Sequence, residues 1–409
     1  MCWNNQFIIQ IKRKINQMIS GSILKDLLEC DVAIIGSGIV GLSCAASILE
    51  RNPRKKVIVL ERGLLPTGAT TKNAGILSIG NFIDILEDIK EIGEAEVRRK
   101  IENQRRGINK LLERLGTEAT DYQLNGTYEL FNDNDLHLVN EIDKVNKVLL
   151  PVFKENVFSL DNSKIQEFGV NDKVVKAIVF SKFDATIDSG RTIKNLLKYT
   201  RNLGAIIITG AEVVSYEKAP TKGVIVKMKK PFSSKDGEKN LCHCKKLIIA
   251  TNAFSNPILH QKVDLVPARG QVFVTKPIPG LKIKGAFHFE EGYYYGRTIG
   301  DRVLFGGARN TDFAGETTER FENTERIITR VKQILEEVIL PNHKVEIEHQ
   351  WAGIMGFGRK SKQRIIEELE EGVFCAIRFS GFGMSIATHV GEMFGEMVLS
   401  DNLHPSPKL

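Results

Sequence analysis

One short segment constrains the fold of this chain more than any other. The apolar run Asp31-Val-Ala-Ile-Ile35 enters Gly36-Ser-Gly-Ile-Val-Gly41, then a small-residue stretch with Cys44, Ala45 and Ala46 that reads as a helix to Glu50. A second apolar run, Val57-Ile-Val-Leu60, closes on Glu61-Arg62. The bare Gly-x-Gly-x-x-Gly spacing says little, since it is expected about 0.25 times by chance in a chain with 35 glycines among 409 residues. Its context says much more. A strand before it, a helix after it, a second strand, and Glu61 twenty residues past Gly41 are what a pyrophosphate needs at a helix N-terminus, with a carboxylate for the ribose hydroxyls. The expectation is an α/β fold with a Rossmann-like dinucleotide unit in which Gly36, Gly38, Ile39, Val40, Gly41, Glu61 and Arg62 meet the ligand.

The same segment explains an apparent membrane span. Val32 to Leu49 holds 18 consecutive uncharged residues, but its three glycines, three serines and strand-like first third fit a buried βα unit better. The amino terminus carries Lys12, Arg13 and Lys14 without the apolar stretch and cleavage site of a signal peptide. Residues 1–29 read as an extension, with Met18 an alternative start and a short helix from Ile23 to Leu28. Six cysteines and no secretory signal point to a reducing compartment, with the cytoplasm as the default location.

Charge excludes little but points away from nucleic acid. The net formal charge is +7, and the densest basic stretch, Lys222 to Lys246, lacks interleaved aromatics for base stacking and reads as a solvated β face. Cys242-His-Cys244 alternates across such a strand, both thiols on one face, and no further ligands stand near enough for a zinc site, so no metal is expected.

Beyond Arg62 the pattern alternates between two layers. A long helical region from about Ile83 to Leu115, a strand at Tyr128 to Phe131 and an amphipathic helix from Asp135 to Leu149 belong to one. A helix from Thr192 to Leu203 and the run Ala205 to Thr209, between Gly204 and Gly210, then return to a buried parallel sheet. Glu212 to Tyr216, Gly223 to Met228 and Lys245 to Ala250 suggest an antiparallel meander, with a turn at Ser233 to Asn240. Short strands at Val272 to Thr275, Tyr293 to Tyr295 and Val303 to Phe305 and a helix from about Thr318 to Glu337 rebuild the other layer. The last unit is Phe379-Ser-Gly-Phe-Gly383, opening a helix from Ser385 to Leu399.

Several pieces in this order carry a family resemblance. The Gly-x-Gly-x-x-Gly turn, the Leu60-Glu-Arg62 end and the loop Gly68-Ala-Thr-Thr-Lys-Asn-Ala-Gly75 come first. Pro267-Ala-Arg-Gly-Gln271, Tyr293-Tyr-Tyr with Arg297, Gly306-Gly-Ala-Arg309, Trp351-Ala-Gly353 and Phe379-Ser-Gly-Phe-Gly383 follow. Together they resemble the FAD-dependent D-amino acid oxidase and glycine oxidase superfamily over about residues 30 to 400.

The resemblance implies a discontinuous FAD-binding domain (30–84, 180–256 and 352–402), parallel sheet plus antiparallel meander, interleaved with a mixed α+β substrate domain (85–179 and 257–351). It implies FAD contacts from Thr70, Thr71, Lys72, Asn73, Ala74, Val213, Thr251, Gly353, Gly381, Gly383 and Met384. Backbone N–H groups of Gly381 to Met384 at a helix N-terminus suit the flavin edge where negative charge develops. Lys72 stands where covalent relatives place a His, so the flavin is expected to be noncovalent.

Tyr293, Tyr295 and Arg297 on one strand, with Arg309 from the next, are the expected substrate residues, Tyr hydroxyls and an Arg fork being suited to a carboxylate. The expected reaction is hydride transfer to flavin N5 from the α carbon of a small amine, amino acid or 2-hydroxy acid. Gly353-Ile-Met-Gly-Phe-Gly358 lacks the carboxylate-binding Arg of glycine oxidases, and Leu304 replaces the oxygen-activating Lys of sarcosine oxidases. Oxygen and a quinone or carrier therefore both remain open as acceptor. A flavin subunit acting on a macromolecule-linked amine and a flavin-binding redox sensor are the alternatives. His288, His349 and His389 are isolated and read as structural.

Overall fold

The computed structural model describes residues 28–229, 241–360 and 363–400. Strand β1 (Glu29–Ile35), helix α1 (Ile39–Arg51) and strand β2 (Val57–Glu61) form the expected βαβ start. The uncharged run that resembled a membrane span is divided between β1, the turn and α1, and no described helix is long and apolar enough to cross a membrane. Gly36 has φ +102°, and a Cβ on Gly41 would lie 2.0 Å from the Gly36 carbonyl oxygen, so both positions need glycine to make the tight turn.

After β2 come helix α2 (Ala69–Lys72), β3 (Ile76–Leu77), α3 (Phe82–Ile92), α4 (Glu94–Thr120), β4 (Thr127–Phe131), α5 (Ile142–Phe153), β5 (Phe158–Leu160), α6 (Ser163–Phe168), β6 (Ala177–Ser181) and β7 (Ala185–Thr186). Then follow α7 (Ser189–Asn202), β8 (Ile206–Thr209), β9 (Val213–Lys218), β10 (Val224–Met228) and β11 (Leu241–Ile249). The last third contains β12 (Val266–Thr275), β13 (Ala286–Phe289), β14 (Tyr294–Ile299), β15 (Arg302–Gly307), α8 (Glu325–Ile334), β16 (Ile347–Phe357), β17 (Ile365–Glu370), β18 (Val373–Ile377) and α9 (Gly383–Leu399).

Two eight-stranded sheets organise these elements. The first runs β17-β18-β11-β1-β2-β8, parallel from β18 to β8, and the β9–β10 meander pairs with the start of β11. The second runs β16-β12-β15-β14-β13-β4-β6-β5, antiparallel except where β13 meets β4. One apolar core lies between the first sheet and α1, α9, α4 and α7, a second covers the opposite face of that sheet, and a third lies between the second sheet and α8.

Several expectations need correction. The helical region from Ile83 is two helices broken at Gly93, whose φ of +82° no other residue type adopts easily, and α4 bends again at Gly116. β8 is parallel but is the edge strand, so it is only half-buried. The Asp135 helix starts as a 3-10 turn over Leu136–Glu141, and the helix expected from Thr318 begins only at Glu325. The Ile23 helix and the Ser233 turn lie outside the described residues, apart from Leu28. Cys242 and Cys244 are buried on one face of β11 with His243 exposed opposite, and Lys227 and Lys229 pair with Glu217 and Glu212 on the solvated meander.

Candidate active site

A cavity of about 1780 Å³ runs from the Gly36 turn, past α2 and the start of α9, to the face of the second sheet. This exceeds the roughly 300–1,000 Å³ of a drug-sized ligand and suits a dinucleotide with a second molecule beside it. Gly36, Gly38, Ile39, Val40, Glu61, Arg62, Thr70, Lys72, Asn73, Ala74, Val213, Thr251, Gly353, Gly381, Gly383 and Met384 line it, as do Tyr293, Tyr295 and Arg309.

At the turn, α1 begins on Gly38 with no side-chain cap and no acid in its first turn, which leaves the positive helix end available to an anion. The Thr70 hydroxyl accepts the Ile39 N–H at 3.2 Å, tying α2 to that helix end. A Cβ on Gly38 would meet only that hydroxyl, at 3.1 Å, and otherwise project into open space. Glu61 is buried at the end of β2, and its carboxylate accepts from the Ser37 N–H and hydroxyl at 3.0 and 2.7 Å and from the Gly63 N–H at 2.9 Å. Arg62 lies over the Phe254 ring, 3.9 Å from its centroid.

The α2 loop is held from three sides. The Asn73 side chain donates to the Thr70 carbonyl at 2.6 Å and accepts from the Gly75 N–H at 2.7 Å and the Ser189 hydroxyl at 2.6 Å. Trp351 of β16 donates to the Lys72 carbonyl, and Gly353 admits the Lys72 side chain because a Cβ there would stand 2.8 Å from it. Opposite, α9 starts at Gly383. Gly381 just before it has nothing within 4 Å of an added Cβ, and Ser385 donates to the Ser78 carbonyl at 2.7 Å.

The second sheet closes the far end. Tyr295 is on β14, but Tyr293 sits in the turn before that strand, and Arg309 lies beyond β15 in a 3-10 turn, which corrects their expected placing. Arg309 lies between two rings, 4.9 Å from the Phe313 centroid and 4.6 Å from that of Phe357. Among the described residues its guanidinium has no hydrogen bond or ion pair, and burial lowers its pKa while Tyr293, Tyr295 and Glu316 oppose the shift. Burial pushes the Tyr295 hydroxyl up to about 12, so it stays protonated.

Three expected contacts are not on the cavity wall. Gly41 and Thr71 face away, Gly41 into the β1–α1 turn and Thr71 donating to the Pro66 carbonyl at 2.9 Å. Arg297 is two residues beyond Tyr295 on the same side of β14, where the Gly75 segment lies over it; a Cβ on Gly75 would stand 3.1 Å from its guanidinium. Residues not anticipated from sequence line the wall as well: Asn81, the N-cap of α3, together with Phe357, Arg364 and His288. Asn81 was visible as an N-cap signal before an apolar periodic run, whereas His288 in Ala286-Phe-His-Phe289 gives no local signal.

Comparison with known proteins agrees with this geometry. The family model for FAD dependent oxidoreductase, DAO, matches residues 31–397, and the chain belongs to that family. It is 21% identical to the probable oxidoreductase OrdL of Haemophilus influenzae, covering 95% of this chain and 87% of that protein. It is 23% identical to the gamma-glutamylputrescine oxidoreductase of Escherichia coli, covering 92% and 85%. Among solved structures, L-proline dehydrogenase from P. horikoshii superposes with a TM-score of 0.72 at 18% identity, over 91% of this chain and 93% of that one. Glycine oxidase from Bacillus cereus superposes with a TM-score of 0.69 at 19% identity, over 90% and 94%.

The protein is thus an FAD-dependent oxidoreductase. The residues present fit that cofactor: an uncapped helix end beside an open Gly38, a buried carboxylate at the end of β2, and an open Gly381 just before the start of α9.

Proposed function

We propose that this chain oxidises a small 2-amino acid, secondary amine carrying a carboxylate, or 2-hydroxy acid. The observation that carries the reading is Arg309, an unpaired guanidinium packed between Phe313 and Phe357 in the cavity shared with the Gly38 turn. A half-buried cation without a protein counter-ion is matched by an anionic ligand, and a planar fork suits a carboxylate. Tyr293 and Tyr295 add hydroxyls to the same wall.

FAD, when bound, supplies the two-electron acceptor for hydride from the substrate carbon, and the protein supplies orientation. In this reading Gly38, Ile39 and Val40 hold the pyrophosphate, Glu61 the ribose, the α2 loop and Gly353 the ring system, and Gly381 to Met384 its anionic edge. Residues 30–84, 180–256 and 352–402 act as the cofactor domain and 85–179 and 257–351 as the substrate domain. The cofactor is held noncovalently, Lys72 being no nucleophile for a flavin bond. The acceptor for the second half-reaction is oxygen or a quinone or protein carrier, in the cytoplasm. The relatives' names, an oxidoreductase of gamma-glutamylputrescine and a dehydrogenase of L-proline, support an amine or amino-acid donor.

Arg309→Ala tests the assignment. The KM for a carboxylate-bearing donor rises at least tenfold while FAD content stays within about 20% of wild type, in keeping with loss of a charge-assisted pair. An unchanged KM removes Arg309 from the site.

A further inference from the structure

The cavity side of the second sheet carries a row of polar residues that continues past Tyr295, beyond the residues assigned to the carboxylate. Register places Glu129 of β4 beside His288 of β13, and His288 beside Tyr295 of β14. Tyr128, Leu130, Phe287, Phe289 and Tyr294 point the other way, into the apolar core under α8. Alternation therefore puts Glu129, His288 and Tyr295 together on the opposite face, and His288 and Tyr295 reach the cavity wall.

The row contains unmatched polar atoms. Both ring nitrogens of His288 and Oε1 of Glu129 are buried with no hydrogen-bond partner among the described residues. The other Glu129 oxygen is used, accepting the Phe82 N–H at the start of α3 at 2.7 Å. Buried polar atoms in folded proteins are nearly always paired, and three unpaired ones at adjacent register positions beside a cavity point to a polar ligand. Burial keeps the imidazole neutral, its pKa down to about 4, and the Glu129 carboxyl protonated, up to about 8, with Asp84 and Asp135 adding to the latter shift. The row carries no charge at neutral pH, and Arg309, whose field reaches Tyr295, carries a positive one.

We propose that His288 is a substrate-binding residue whose neutral imidazole accepts a hydrogen bond from the 2-amino or 2-hydroxy group of a substrate whose carboxylate lies on Arg309. This rests on the carboxylate reading above and adds the second point of attachment, which no family motif in the chain contains. Two attachment points across Tyr295 orient the carbon between them, which a carboxylate contact alone leaves free to rotate.

The test uses two probes of nearly the same shape that cannot be oxidised because neither has a hydrogen on the α carbon: 2-hydroxy-2-methylpropanoate and 2,2-dimethylpropanoate. Calorimetric titration of the holoenzyme is expected to show the hydroxy acid binding about fivefold to tenfold more tightly, the value of one buried hydrogen bond. His288→Leu erases that preference and leaves the affinity for 2,2-dimethylpropanoate unchanged, while His288→Asn, which keeps an acceptor, retains part of it. A structural role would lower stability without touching the preference. A preference that survives in His288→Leu overturns the proposal, as does wild-type protein that binds both probes equally or neither. Arg309→Ala separates the two readings: it weakens both probes alike if Arg309 holds the carboxylate. If it leaves both unchanged while the preference still depends on His288, the Arg309 assignment falls and the His288 assignment stands.

Discussion

Trp351 of β16 donates its indole N–H to the main-chain carbonyl of Lys72 at 3.0 Å, a contact between residues 279 apart in sequence. It joins the second sheet to the α2 loop, so in the proposed function the sheet that carries Tyr295 and Arg309 also helps to shape the loop assigned to FAD. Trp351→Phe keeps the ring packing and removes one hydrogen bond, leaving the Lys72 carbonyl unmatched. The expected loss is about 1 kcal/mol, read as a roughly fivefold weaker FAD dissociation constant with Tm little changed. Unaltered FAD affinity would mean that the loop holds its shape without the sheet.

The turn that carries Arg309 is anchored by a buried ion pair. Arg269 donates to both oxygens of Glu316, at 3.0 and 2.6 Å, with side chains 5% and 2% exposed, and Gln271 adds a third bond to Glu316 at 2.8 Å. Removing one partner of such a pair leaves a buried charge unmatched, which costs about 3 to 5 kcal/mol. Glu316→Ala is therefore expected to destabilise the protein strongly in denaturant unfolding, with Glu316→Gln intermediate because an acceptor oxygen remains. Equal stability of wild type and Glu316→Ala would show that the pair contributes nothing net.

Glu129 gives the stability a pH dependence of known sign. Its carboxyl is held up to about 8 by burial, against an ordinary value of 4.5. Between those values the unfolded chain has released the proton and the folded one has kept it, so stability falls by roughly 1.4 kcal/mol per pH unit from this group as pH rises, and levels off above the folded value. Glu129→Gln does not titrate. Its stability relative to wild type should rise across that window, measured from unfolding midpoints at about pH 5, 6.5 and 8. Parallel curves for the two proteins would mean that Glu129 ionises normally.

Arg297 separates a sequence expectation from its structural outcome. The structure seats its guanidinium against the Gly75 segment, away from the cavity wall, and burial lowers its pKa while Asp188 and Asp121 oppose the shift. Arg297→Ala is expected to lower stability by about 1 to 2 kcal/mol through lost packing, with KM within twofold of wild type. A large KM increase without a stability change would return Arg297 to the substrate site.

What was legible follows from how local each feature is. The Gly36 to Glu61 unit could be read because strand, turn, helix and acid lie within one stretch and each has a physical requirement at its position. Tyr295 and Arg309 could be proposed from the resemblance, but only the fold shows Phe313 and Phe357 on either side of Arg309. Tyr295 and Arg297 were expected on one strand and share β14, yet a strand assignment cannot tell what covers each residue, and the Gly75 segment covers the second. The Glu129–His288 pairing joins positions 159 apart across a parallel strand pair, and no local pattern encodes that register.

In the proposed function the Arg309 end of the cavity receives a carboxylate-bearing donor that is oxidised at the carbon beside the carboxylate. The most direct measurement is the visible flavin absorption of purified holoenzyme under anaerobic conditions while 2-amino acids, N-alkyl amino acids and 2-hydroxy acids are added one at a time. At least one of these classes is expected to bleach the oxidised band, amines without a carboxylate to do so far less, and Arg309→Ala to need at least tenfold more donor for the same bleaching. Bleaching by a carboxylate-free amine alone, or an Arg309→Ala titration identical to wild type, would contradict it.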